Sequence, residues 1–252
     1  MASQPVAREH FELNGWSVDA YDVLPSTNPI AGQLAPWSAV TADVQTGGRG
    51  RTGRVWVSDK GGLWLSACVP ATGARKKWSI LPLAAGWALV EALGELGLGG
   101  LRLRWPNDVL SGSRKLAGLL VEQYRPERVV VGIGLNVSNQ PDALDQALAG
   151  HTVSLCELLP AVPPLPHVTR VVLQALRQVH AEIEADRFEE MARRINAHWD
   201  RSRRVELTLN NAAPTEAFFR GIDAEGRVAV ESLEHGHRVF EASEVALLRE
   251  LT

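Results

Sequence analysis

The chain has 252 residues, 45% hydrophobic and 22% charged, with a net charge of −3. That length buries a core without staples and suits one large domain, or a medium domain with a small appendage. The charge gives no bulk reason for nucleic-acid binding, no run nears the roughly 18 apolar residues of a membrane span, and the N-terminus lacks a signal-peptide core. Cys68 and Cys156 each lie in an apolar run. They read as buried thiols in a reducing, cytoplasmic compartment rather than as a disulfide or metal set.

Residues 1–15 read as a short polar lead-in, too short for a helix-turn-helix. Residues 16–24 alternate as a first strand, broken by Pro25-Ser26-Thr27-Asn28. This polar triplet suits a helix N-cap, or hydroxyl and amide groups presented to a ligand at a strand end. Residues 37–45 form a second strand, and β character resumes at 55–58 and 62–69. A helix over 79–96 puts Leu81, Ala85, Ala88, Leu89, Ala92 and Leu96 on one face, with Ser79 as its cap and Pro82 in its first turn. Strands follow at 101–105, 116–122 and 129–137, the last two an antiparallel pair. Helices are expected at 154–159, 167–185 and 188–199. From about 203 the spacing shortens to strands at 204–209, 217–222, 227–231 and 237–240, with a hairpin turn at Asp223-Ala224-Glu225-Gly226. The reading is a small all-β barrel.

Between the second strand and residues 55–58 lies Thr46 to Arg54, TGGRGRTGR. Glycines let the backbone approach a ligand closely, and arginines fork onto carboxylate or phosphate. Three guanidiniums so close repel one another unless an anion sits among them. The stretch is a mobile loop that closes over an anion, or a solvated turn of a surface hairpin. It satisfies G-x-G-x-x-G, but no helix follows, as a dinucleotide fingerprint requires. Kinase and Walker partner motifs are absent from the sequence.

The second signal is Trp105-Pro106-Asn107-Asp108, followed by Lys115-Leu116-Ala117-Gly118. Asn107 both donates and accepts, as a base edge requires, and Asp108 suits Mg2+. Lys115 supplies a point charge, and Ala117 and Gly118 leave room for a ligand. A plain hairpin with a Pro-Asn-Asp turn accounts for the first motif equally well.

Taken together, Ser26-Thr27-Asn28, Gln45, residues 48–54, Trp56, Trp105 to Asp108, Lys115 to Gly118 and the Gly132, Gly134, Asn136 stretch resemble the biotin–protein ligases in order and spacing. The resemblance implies an α+β fold: a central mixed, mostly antiparallel sheet with flanking helices, class II synthetase-like, and an SH3-like C-terminal barrel. It divides the chain into a catalytic domain, 1–202, and the barrel, 203–252. It implies that biotin and Mg·ATP give biotinyl-5′-AMP, from which the biotinyl group passes to a lysine of a biotin carboxyl carrier domain. ATP and Mg2+ act as co-substrate and metal, with no tightly bound prosthetic group. Carried over by position, Ser26, Thr27, Asn28, Gln45, Gly48, Arg49, Lys115 and Gly118 bind biotin. Arg51, Arg54, Trp56, Asn107, Lys115 and Asn136 bind the nucleotide. Lys115, Arg49, Arg51 and Asp108 are catalytic, with Asp108 the candidate for Mg2+ or for steering the incoming lysine. Neither DNA nor membrane is expected as a partner, and the chain is a monomer or homodimer.

Three positions depart from the family pattern. Arg104 stands where lysine is frequent, Thr52 replaces a basic residue, and residues 28–44 are short, with Pro29 and Pro36 weakening a helix there. Two rival readings remain: a lipoate or octanoate ligase of the same superfamily, and a Gly/Arg-loop nucleic-acid binder.

Overall fold

The computed structural model describes residues 5–73, 75–199, 203–210, 212–232 and 236–251. The chain opens with a hairpin, β1 (Glu9–Leu13) and β2 (Trp16–Leu24), whose turn is Asn14-Gly15 with φ of 51° and 76°. An Asn-Gly pair is the favoured two-residue hairpin turn because both positions take positive φ. This corrects the expectation of a lead-in: β1 is a strand whose charged residues hide its alternation.

One short helix, α1 (Thr27–Ala31), crosses over to β3 (Ser38–Gln45), which pairs parallel with β2. It is a single turn, as Pro29 and Pro36 led us to expect. Next come β4 (Leu63–Pro70), α2 (Leu81–Glu95), β5 (Leu101–Arg104), β6 (Asp108–Ser111), β7 (Arg114–Arg125) and β8 (Arg128–Leu135). These eight strands form one sheet in the order β1-β2-β3-β4-β8-β7-β6-β5, antiparallel at every pair but β2–β3. The sequence reading lacked β6, which makes residues 101–111 a hairpin. Ser79 does not cap α2: its hydroxyl donates to the Glu225 carbonyl, and Ile80 holds the cap position.

Two short helices follow, α3 (Pro141–Leu144) and α4 (Leu155–Leu158), then α5 (Leu165–Glu184) and α6 (Phe188–His198). The expected stripe of α5, Val168, Val172, Ala175, Val179 and Ile183, is buried. It packs on α2 and β4, so the long helices cover one sheet face while α1 lies against β3, β4 and β8. Cys68 is buried, but Cys156 is exposed, because the single turn of α4 has only one side to bury.

The remaining strands are β9 (Arg203–Leu209), β10 (Thr215–Ile222), β11 (Val228–Ser232), β12 (Gly236–Phe240) and β13 (Val245–Glu250). They form a five-stranded antiparallel sheet, β12-β11-β10-β9-β13. It has one strand more than the spacing suggested, since β13 lacked a following turn to mark it. The two sheets share one continuous apolar core. Trp199 meets Phe219 edge-on at 4.8 Å and donates to the Leu103 carbonyl, and Trp105 donates to the Gly226 carbonyl. Residues 200–202, at the expected domain boundary, lie outside the described residues. No described helix is long and apolar enough to cross a membrane.

His180 is buried among Trp37, Trp78 and the Pro70 carbonyl. Burial lowers its pKa, against opposing pulls from Pro70 and Glu184. A base with a depressed folded pKa stabilises the fold above its unfolded pKa of about 6.5 and loses that contribution as pH falls. Urea unfolding should therefore show the parent losing stability more steeply below that pH than His180→Gln. Identical pH slopes would contradict this.

Candidate active site

A cavity of ≈ 240 Å³ opens where α1, the 46–58 loop, β7, β8 and the start of β13 meet. Its lining includes Ser26, Thr27, Asn28, Gln45, Arg49, Arg51, Arg54, Trp56, Asn107, Asp108, Lys115, Gly118 and Asn136. The sequence-predicted side chains, taken from widely separated stretches, thus share one space. Gly48 lies immediately behind it: a Cβ there would meet the Trp56 carbonyl at 2.4 Å and the Ser58 hydroxyl at 2.5 Å.

One end is polar and uncharged. Helix α1 starts at the Ser-Thr-Asn triplet, yet Ser26 makes no side-chain cap. The Thr27 hydroxyl lies 2.6 Å from Ser66, Asn28 donates to Glu122, and Gln45 accepts from the Thr27 amide and donates to Ser58. So the triplet begins a helix but spends its side chains on the pocket wall. Ser66 and Glu122 were not foreseen; a serine and a glutamate inside the apolar strands β4 and β7 were the available signals.

The middle is a bed of glycines beneath Trp56. A Cβ on Gly134 would come within 2.4 Å of the indole nitrogen, and one on Gly118 within 2.9 Å of the ring. The buried Trp56 Nε1 has no hydrogen-bond partner among the described residues. Lys115 Nζ stands 4.9 Å from the ring centroid.

The other end is cationic. Arg104 closes β5 and Asp108 opens β6 across the Trp105-Pro106-Asn107 turn, so the two face each other in register. The Asp108 carboxylate binds Arg104 through one oxygen and Lys115 through the other, both at 2.6 Å. Asn107 and Asn136 are buried and brace β7: Asn107 donates to the Leu119 carbonyl, and Asn136 to the carbonyls of Val153 and Lys115.

The loop arginines do not converge on one point. Arg49 lies 3.9 Å from Glu122. Arg51 reaches the carbonyls of Ala242 and Val245, and Arg54 that of Ala246, all at the edge of the second sheet. Burial lowers the Arg51 pKa, Asp108 opposing and Arg54 adding to it. It stays charged regardless. Thr52 and Gly53 both take positive φ, 54° and 74°, which turns the loop back toward the sheet.

A metal held by the protein does not fit this arrangement. Among the described residues, the cavity's one carboxylate, Asp108, has both oxygens on cations, and no cluster of three His, Cys, Asp or Glu stands ready for a metal.

Comparison with known proteins defines the class. A model of the biotin/lipoate A/B protein ligase family matches residues 26–137. The biotin–[acetyl-CoA-carboxylase] ligase of Mycobacterium tuberculosis is 31% identical over 239 residues, covering 86% of this chain and 85% of that protein. The bifunctional ligase/repressor BirA of Bacillus subtilis is 36% identical over 156 residues, and the match spans about half of it, 48%. The biotin protein ligase of Aquifex aeolicus, solved with biotin and ATP, superposes with a TM-score of 0.80 at 26% identity, over 93% of this chain and 99% of that one. The chain belongs to this family, among its biotin–protein ligases.

The glycine bed gives a test by substitution. Gly134→Ala drives a methyl into the Trp56 ring and should destabilise the fold by about 1–3 kcal/mol. Gly94→Ala, at an open position in helix α2, should stabilise it by roughly 0.5–1 kcal/mol. Urea melts of both variants check the contrast, and equal effects would refute the close packing of Trp56.

Proposed function

We propose that this chain joins biotin to ATP, forming biotinyl-5′-adenylate and pyrophosphate, and then passes the biotinyl group to a lysine of a carboxylase carrier domain with release of AMP. The observation that carries this reading is the order of environments along one cavity: a neutral hydrogen-bonding end, an apolar middle and a cationic end. The neutral end suits a polar ring such as a cyclic urea. Leu65, Leu119, Leu120 and Ile133 supply an apolar lining for an aliphatic arm. The cationic end suits a carboxylate approaching a phosphate.

The residues have distinct tasks in this reaction. A biotin carboxylate oxygen attacks the α-phosphorus while pyrophosphate leaves. Two anions must meet, and Lys115 is the point charge placed to stabilise what develops between them. Asp108 holds Lys115 until the ligand anion replaces it as the ammonium's partner, and afterwards stands near the acyl carbon where the acceptor lysine arrives. Arg49 and Arg51 guard the adenylate, and Arg54, Trp56, Asn107 and Asn136 frame its nucleoside side. Mg2+ would enter with ATP as part of the co-substrate and would supply charge neutralisation. Water would destroy the mixed anhydride, so closure of the 47–54 loop serves to exclude it. We assign these steps to residues 1–202, with 203–252 closing the cavity from the side of β13.

A lipoate or octanoate ligase would share the sheet and the lysine. Its substrates end in a dithiolane or a methyl group, neither of which hydrogen-bonds to the polar wall that Thr27 and Gln45 form, and displacing water from such a wall without a replacement bond costs about 1–3 kcal/mol. Pyrophosphate exchange into ATP should therefore depend on biotin and not on lipoate or octanoate. The opposite dependence would transfer the chain to the rival reading.

Two variants probe the cationic end. Lys115→Ala should lower the exchange rate by on the order of 10²–10³, with only partial recovery in Lys115→Arg. Near-normal exchange in Lys115→Ala would remove that role. Arg51→Gly frees the loop from the carbonyls of Ala242 and Val245 while leaving the sheet intact. It should still form adenylate but release it, so that mass spectrometry finds biotin on the lysines of a bystander protein. A variant that makes adenylate yet retains it like the parent would show that the lid does not depend on Arg51.

A further inference from the structure

A chain of hydrogen bonds runs behind the neutral end of the cavity, and its direction can be worked out from one terminus. Glu122 is that terminus. Its Oε2 lies 2.7 Å from the Asn28 amide nitrogen and 3.0 Å from the Tyr124 hydroxyl. Tyr124 donates, because burial first and Glu122 next push its pKa up to about 12. A carboxylate only accepts, so the NH2 of Asn28 must face it. The Leu120 carbonyl, 3.4 Å from the same nitrogen, is a second acceptor on that side but too distant to hold the orientation without Glu122.

Each further link then has one solution. With its NH2 so placed, Asn28 turns Oδ1 toward Ser66, whose hydroxyl lies 2.5 Å away and must donate. Ser66 has spent its one proton, so at the 2.6 Å contact with Thr27 it accepts and Thr27 donates. The competing contact, Thr27 Oγ1 to Gln45 Oε1, is longer at 3.2 Å, and the Thr27 backbone N–H already serves that oxygen at 2.9 Å. Thr27 is 3% exposed, Asn28 4% and Ser66 0%, so water cannot reset these protons. Gly132 seals the chain from beneath, since a Cβ there would lie 2.3 Å from Asn28 Oδ1. Thr27 is left with lone pairs alone to offer the cavity.

We infer that Glu122, which touches no reacting atom, is a specificity-determining residue: through Asn28 and Ser66 it makes the Thr27 hydroxyl an acceptor toward the cavity, so the ligand group seated there must be an N–H donor. This rests on the biotin reading and adds to it that one ureido nitrogen of biotin is recognised by polarity and not by shape alone. Replacing that N–H with oxygen keeps the shape and sets two acceptors face to face. A glutamine at 122 both donates and accepts, so it frees Asn28 to flip and the Thr27 proton to turn toward the ligand. An aspartate keeps the acceptor-only terminus.

The test is the affinity, by calorimetry, of biotin and of its two carbamate analogues, each with one ureido N–H replaced by oxygen. The parent should bind biotin at least about a hundredfold more tightly than one of the two analogues. In Glu122→Gln that ratio should fall to within about tenfold, and in Glu122→Asp it should return even if absolute affinity drops. A merely structural role would lower all three affinities together and leave the ratio unchanged. A parent that binds biotin and both analogues alike overturns the inference, whether or not the variants fold. So does a folded Glu122→Gln with the parental ratio. Biotin-dependent pyrophosphate exchange in the parent separates these failures from failure of the biotin reading itself, in which case neither biotin nor its analogues bind.

Discussion

Five cations, Arg49, Arg51, Arg54, Arg104 and Lys115, face a cavity whose only carboxylate among the described residues is Asp108, in a chain whose net charge is −3. Local surplus against a global deficit is the constraint on which the rest of the site depends. Like charges about 4 Å apart repel by roughly 4 kcal/mol at an effective dielectric of 20, so the cations must be held apart or neutralised. The chain does both. Asp108 bridges Arg104 and Lys115, Arg49 turns toward Glu122, and Arg51 and Arg54 end on backbone carbonyls. Carbonyls are weaker partners than an anion, which leaves the site with affinity for phosphate and carboxylate in reserve.

The fold supplies these partners from distant parts of the chain. The carbonyls that receive Arg51 and Arg54 belong to Ala242, Val245 and Ala246, next to or within β13, about two hundred residues along the sequence. The second sheet is thereby part of the cavity wall, and its shared apolar core keeps it there. On the opposite side, Asn107 and Asn136 brace β7, from which Lys115 projects. The cavity floor thus rests on buried amides that donate to the backbone of the sheet, while its lid rests on a glycine-rich loop. A rigid base under a deformable cover fits a reaction that must admit two substrates and then exclude water.

Much of this was legible in the sequence. Helix α5 showed its buried stripe by spacing alone, and strands β7 and β8 by their apolar runs. All the candidate site residues except Gly48 line one cavity. What escaped notice had physical reasons. Strand β1 alternates behind charged residues, although its Asn-Gly turn was a usable signal. Asn107 and Asn136 look like ligand groups in sequence, yet their amides are spent on backbone carbonyls, which only three dimensions reveal. Arg51 and Arg54 appeared to cluster with Arg49, and the distant carbonyls that separate them carry no sequence signature. Glu122 and Ser66 interrupt apolar strands, and a single polar residue in a strand does not show by itself what it will contact.

The central claim is that the arginine loop, whose partners in the chain alone are backbone carbonyls and Glu122, becomes ordered by a ligand anion. Amide hydrogen exchange over residues 47–54, measured on the chain alone and with biotin and ATP, tests it most directly. We predict fast exchange in the chain alone and strong slowing there when both ligands are present, with the core of β4 and β8 unchanged. Equal exchange in the two states, while biotin and ATP are demonstrably bound, would contradict it.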